Sequence, residues 1–175
     1  MKSYFITLGL VAALIFTCTG ESCNKSSQSA LNDGFAASVR VSSFGTDLTK
    51  GFTKLRHDGA IPQDTFDFVI AKLKLADIAG HALNKTLADL VAKYPDGNIP
   101  PAEFSPIALV FNSDIYTPIV DVFGVVAKLS PANQALLSVS IAGIKLAINT
   151  IRNLVNKHSA ELGLPEIKEL SYGIA

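Results

Sequence analysis

Residues 65–94 read TFDFVIAKLKLADIAGHALNKTLADLVAKY. Phe66, Leu73, Gly80, Leu87 and Tyr94 recur at seven-residue intervals, and Val69, Ala76, Leu83 and Leu90 form a second such track. With about 3.6 residues per turn, the two tracks merge into one stripe along a helix, and that stripe leaves water only by packing on other helices. Lys72, Lys74, Asp77, Lys85, Asp89 and Lys93 fall outside the stripe. This segment is therefore expected to be one long helix of a bundle.

The same spacing rule extends to both sides. Leu31, Phe35, Ser38, Val41, Gly45, Leu48, Phe52 and Leu55 place a first helix over about 29–56. Its glycines each cost about 1 kcal/mol against alanine, and Ser42-Ser43 is weak helix material, so a break is expected near Ser43 to Thr46. His57-Asp58-Gly59 ends that helix with a glycine available for a left-handed cap, and Pro62 is placed to open the next. Pro95 closes the second helix at Tyr94.

The proline-rich connection YPDGNIPPAEFSP lets the third helix start at Pro101 or, with Ser105 as cap, one turn later. Its stripe is Phe104, Ala108, Phe111, Ile115, Pro118, Val122, Val125 and Leu129, with a kink expected at Pro118. Ser130-Pro131 repeats the cap device, and Leu137, Ile141, Ile144, Ile148, Ile151 and Val155 mark a fourth helix ending between Ser159 and Gly163. One or two further helical turns are expected over 165–170. No strand pattern or internal repeat is visible. The expected fold class is all-α, an up-down-up-down four-helix bundle behind an N-terminal signal segment.

Lys+Arg and Asp+Glu both number 15 in a chain of 175 residues that is 49% hydrophobic. This composition suits a sizeable core and gives no bulk electrostatic attraction to nucleic acid or to an anionic membrane surface; nucleic acid is not expected as a partner. The start, MKSYFITLGLVAALIFTCTGESC, has an early lysine, an apolar run from Tyr4 to Phe16 and then small and polar residues, the pattern of an export signal. The run is short for a bilayer core of ~30 Å. Both cysteines, Cys18 and Cys23, lie here, so the folded domain is expected to hold no disulfide.

That placement resembles a bacterial lipoprotein signal, in which a cysteine behind the apolar run is lipidated and becomes the new N-terminus. Ile15 stands three before Cys18, as the family's motif requires, although Phe16 and Thr17 are bulkier than its usual small residues. Cys23 has the small Ser22 before it and the polar NKSSQS after it, while Gly20 and Glu21 depart from the motif. Cys18 and Cys23 both stand as lipidation candidates, with ordinary cleavage near Gly20 or Ser22, or an uncleaved anchor, as the alternatives. The expected organisation is 1–22 signal, 23–29 tether and 30–175 helical bundle. The resemblance implies an exported protein, periplasmic or anchored to a cell-envelope membrane by an N-terminal lipid.

Catalytic and metal chemistries lack their residues. A carboxylate-bridged di-metal bundle needs inward Glu and Glu-x-x-His pairs, but Glu21, Glu103, Glu161, Glu166 and Glu169 all lie outside the expected helix interiors. Asp77 and His81 are one turn apart without a second ligand pair, and an ion pair is the expected outcome. His57 is isolated, and His158 sits where a cation meets a helix dipole. Asp114 and Asp121, with Asn112 and Thr117 nearby, are ~10 Å apart along a helix and face solvent in this reading. Asn24-Lys25-Ser26 and Asn84-Lys85-Thr86 match the N-glycosylation pattern, the second in mid-helix. No nucleophile, metal site or cofactor is expected, nor an enzyme.

IALVF, YTPIVDVFGVVAKL and ALLSVSIAGIKLAI make the third and fourth helices apolar around much of their circumference. Ala142, Gly143 and Ala147 permit close backbone approach, and the hairpin is expected to form the bundle centre; insertion in a membrane is the alternative, with Asp114, Asp121, Lys128 and Lys145 making stable spanning costly. Two roles are open. One is a structural or binding role in the envelope, with a protein partner possible. The other is a carrier or sensor of an apolar, lipid-like molecule, for which the facing residues are Phe111, Ile115, Val122, Leu137, Ile141, Ile144 and Ile148.

Overall fold

The computed structural model describes residues 27–95, 99–159, 163 and 166–170. The protein is all-α, with four helices and no strand among the described residues. They are α1 (Ser27–His57), α2 (Gln63–Lys93), α3 (Pro101–Val126) and α4 (Pro131–Ser159). The signal segment, both candidate cysteines and Asn24 lie outside the described residues, as does the side chain of His158.

The first helix runs unbroken through Ser43 to Thr46, against expectation. Ser42 reaches across to Asp77 of α2, and that contact holds the weak stretch in the helix, while Thr46 and Thr49 turn their hydroxyls to the carbonyls of Ser42 and Gly45 one turn back. The stripe is also corrected at one position. Phe35 is exposed and Gly34 takes the inner place, because Leu154 of α4 fills the space there: a β-carbon on Gly34 would stand 2.6 Å from Leu154 Cδ2. The same device recurs along the helix. Leu137 occupies the notch at Gly51, and the ring of Phe44 occupies the notch at Gly143. The pairs 34/154, 44/143 and 51/137 run in opposite order along the two helices, so α1 and α4 are antiparallel.

Gly59, at φ +71°, ends α1 in a left-handed turn. Its amide donates to the Arg56 carbonyl at 3.1 Å and the Ala60 amide to the Leu55 carbonyl at 2.8 Å, the two bonds of a Schellman cap. Pro62 then caps α2, which closes at Tyr94. Burial is regular along α2: Val69, Leu73, Ala76, Gly80, Leu83, Leu87 and Leu90 are all buried, with Phe66 and Tyr94 packed at the core's edge.

Pro118 is accommodated differently from the expected kink. Helix α3 opens with a 3-10 turn at Pro101–Phe104, becomes α-helical over Ser105–Val110, widens into a π-helical turn at Phe111–Tyr116 and returns to α over Thr117–Val126. The Thr117 amide bonds the carbonyl of Asn112, five residues back, and its hydroxyl donates to the same carbonyl at 2.8 Å. Pro118 has no amide hydrogen to offer, and the widened turn removes the ring's collision with the carbonyl four residues back. The extra residue rotates everything after it. Ile119, Phe123 and Val126 are buried, whereas Val125 and Leu129, expected in the core, are only partly so.

Ser130 caps α4 through its carbonyl, which accepts from the Gln134 amide at 2.9 Å, while the Gln134 side chain donates back to the carbonyls of Leu129 and Ala127. All six residues of the α4 stripe are buried. The tail is not helical at 166–170. It lies along α4 instead: Asn156 donates to and accepts from the backbone of Ile167 (2.9 and 3.0 Å), and Asn149 accepts from the Leu170 amide at 3.1 Å. These bonds satisfy backbone groups that a helix would otherwise pair, and they let Ile167 and Leu170 enter the core.

Around the core, α1 lies against both α4 and α2, α2 lies against α3, and α3 reaches α4 mainly through its first turns. Phe52, Phe104, Phe111 and Phe123 fill the centre. Each such side chain contributes roughly 1.5–3 kcal/mol through loss of apolar surface to water.

Candidate functional site

The residue types used in nucleophilic catalysis meet once among the described residues, between α1 and α2. The Ser42 hydroxyl donates to Asp77 Oδ1 at 2.5 Å, and His81 Nε2 stands 3.5 Å from Ser42 Oγ and 3.6 Å from Asp77 Oδ1. Helical geometry produces this trio: Asp77 and His81 share a face one turn apart, and α1 brings Ser42 to it. Its order is wrong for hydroxyl activation, since the serine proton goes to the carboxylate and the imidazole lies at the limit of hydrogen bonding. The backbone amides around all three are within helices, so no pair of donors is aimed at a developing oxyanion. The His81 side chain is 69% exposed. What this geometry does is latch α1 to α2.

Other polar side chains are spent in the same way. Lys72 pairs with Asp121 at 2.7 Å across α2 and α3, and stands over the Phe68 ring. Asp121 is therefore committed to a lysine rather than to Asp114, which lies half-buried on the π-helical turn. At the other end of the α2–α3 pair, Lys93 donates to Glu103 at 2.7 Å and the Tyr94 hydroxyl to the same oxygen at 3.1 Å. Lys93 first and Tyr94 second hold the Glu103 carboxyl below its ordinary range, and Glu103 in turn pushes the Lys93 ammonium up. The pairs 72/121 and 93/103 set α2 and α3 antiparallel. His57 pairs only with its exposed neighbour Asp58. No group of three or more His, Cys, Asp or Glu gathers to hold a metal among the described residues.

The seven apolar candidates, Phe111, Ile115, Val122, Leu137, Ile141, Ile144 and Ile148, are brought together in one core, each at most 2% exposed. A cleft of about 80 Å³ lies elsewhere, between α2 and the start of α3, lined by Ala82, Leu83, Thr86, Pro106, Ile107 and Val110. None of the seven borders it.

Outside the core, α3 and α4 keep apolar side chains on the surface: Leu109, Val120, Leu136, Val139 and Leu146 are exposed, Val139 at 78%. The all-round hydropathy of these two helices in the sequence pointed to this surface without locating it. Ser42 and the two tail-binding asparagines had weaker signals. Asn149 and Asn156 are seven residues apart on one face of α4, and Ile167 and Leu170 are the only large apolar pair in the tail segment they hold. No protein-family model matches the chain, and no curated protein or solved structure matches it either.

Proposed function

We propose that this is an exported protein of a bacterial cell envelope, a helical bundle held at a membrane by an N-terminal lipid and acting by contact rather than catalysis. The placement of its cysteines carries the reading: Cys18 stands two residues and Cys23 seven residues after the apolar run ends at Phe16, none occurs later in the sequence, and α1 begins at Ser27. The antiparallel pairs support an up-down-up-down bundle standing directly behind that anchor. The use of Ser42, Asp77, Lys72, Asp121, Lys93 and Glu103 to tie helices together supports a structural or binding role.

Replacing Cys18, Cys23 or both with Ser, then following membrane fractionation and incorporation of a labelled fatty acid, tests the anchor. Loss of both signals in one single variant and in the double variant is expected. Unchanged behaviour of all three variants refutes it. A second reading, a carrier of an apolar molecule, draws on the π-helical turn, because two of the candidate residues, Phe111 and Ile115, sit on it and such turns are frequent at functional sites. Native mass spectrometry of the purified protein is its test, a co-purifying apolar mass being the required result.

A further inference from the structure

We infer that the outer face of α4, formed by Leu136, Val139, Ala142 and Leu146, docks on an anionic lipid surface. For the presence of that membrane the inference rests on the anchored reading above; the face itself rests on α4. Helix α4 buries Leu137, Ile141, Ile144 and Ile148 in the core and leaves Leu136, Val139, Ala142 and Leu146 exposed on its outer side. Its exposed members recur at three- and four-residue spacing, which makes one continuous outward strip.

Charge chooses the partner. From Pro131 to Ile144 there is no charged residue, and the whole of α4 contains Lys145, Arg152 and Lys157 but no carboxylate. An apolar strip on a helix whose only charges are cations is the pattern that settles at the boundary between acyl chains and anionic headgroups. The comparable exposed strip on α2, Phe68, Leu75 and Ile78, shares its helix with four aspartates, Asp64, Asp67, Asp77 and Asp89, and lacks that match. Crossing the bilayer is opposed by Lys145 and Arg152 within the apolar stretch; lying on its surface is not.

The tether brings the face into reach. Both candidate cysteines precede the start of α1, Cys23 by three intervening residues and Cys18 by eight. Gly34 near that start packs on Leu154, so the same end of the bundle holds the end of α4. A bundle tied at this point can lie down along α4.

The chain contains no tryptophan, so Val139→Trp introduces a single fluorescent reporter at an open position, and Ala88→Trp, at an exposed position of α2, is its counterpart. The full chain is reconstituted with vesicles of phosphatidylglycerol and phosphatidylethanolamine, and with phosphatidylcholine vesicles for contrast. Expected is a shift to shorter wavelength at position 139 on the anionic vesicles, with quenching by brominated lipid roughly twofold or more above that at position 88. If the chain floats with the vesicles but position 139 stays water-like, the docking face is refuted and the anchor stands. Failure to float refutes both. A shift that grows with protein concentration without lipid assigns the face to a second copy of the chain and overturns the inference.

Discussion

The ring of Phe44 rests on Gly143 so closely that a β-carbon there would collide with its Cζ atom and stand 2.5 Å from both neighbouring ring carbons. Glycine at this place in α4 is thus a receiving surface for an α1 side chain. Gly143→Ala is expected to destabilise the protein by about 1–3 kcal/mol, because displacement of a rigid ring outweighs the ~1 kcal/mol that alanine gains in a helix. Gly45→Ala, where nothing lies within 4 Å, is expected to stabilise by about 0.5–1 kcal/mol. Urea unfolding of both variants checks the contrast, and Phe44→Leu should relieve much of the Gly143→Ala cost in a double-mutant cycle.

Asn156 holds the tail by a donor and an acceptor at once. Asn156→Ala is expected to cost about 1–3 kcal/mol and to speed amide exchange at Ile167 first. Asn156→Asp, which keeps only the acceptor, should fall between. Exchange at Leu170 reports separately, since its amide is held by Asn149.

Phe111 and Ile144 are fully buried. As core residues, their replacement by alanine should cost about 3–5 and 2–5 kcal/mol respectively, measured by denaturant titration. Costs below about 1 kcal/mol would mean that the neighbourhood already has room, as a ligand-lined interior requires.

Glu103 titrates below its ordinary value of 4.5 because Lys93, and then Tyr94, bond its charged form. A lowered folded value means that its contribution is present above pH 4.5 and is lost as pH falls through the folded value. For Lys93, raised above 10.5 by Glu103, the contribution is present below that value and is lost as pH rises through the folded one. Glu103→Gln should therefore shrink the acid limb of the melting temperature against pH and return Lys93 toward its ordinary titration. Part of the acid limb remains, because Asp58 is also lowered, by Lys54 and then His57. Glu103 is half-buried and Asp58 exposed, so solvent screening keeps the effect small, and thermal scans below pH 4.5 compared with neutral pH measure it.

Much of the architecture was legible because helix boundaries here are written in local chemistry. Gly59, Pro62, Pro95, Pro101 and Ser130-Pro131 each act within a few residues, and the buried stripes of α2 and α4 follow directly from spacing. The misreadings in α1 and the tail share another cause, namely a partner distant in sequence. Ser43 to Thr46 is weak helix material alone, yet Ser42 finds Asp77 on α2. Phe35 looks like a core residue until Leu154 claims the space at Gly34. The tail 166–170 has helix-forming residues, but two asparagines from α4 satisfy its backbone first. At the candidate site, the apolar residues of α3 and α4 were identifiable by type. Which of them face inward depends on the phase of α3, and spacing rules assume a constant number of residues per turn.

The wide turn at Phe111–Tyr116 thus carries a consequence for chain length. It stores one residue of slack, and loss of a single residue between 111 and 116, combined with replacement of Pro118 so that its ring no longer meets the carbonyl four residues back, would tighten it to an ordinary turn while leaving both flanking segments where they are. Insertion or deletion anywhere else in α3 would turn the following segment by about 100° and expose its inward side. Within this helix, length variation has one tolerant address, and Pro118 is the residue that keeps it open.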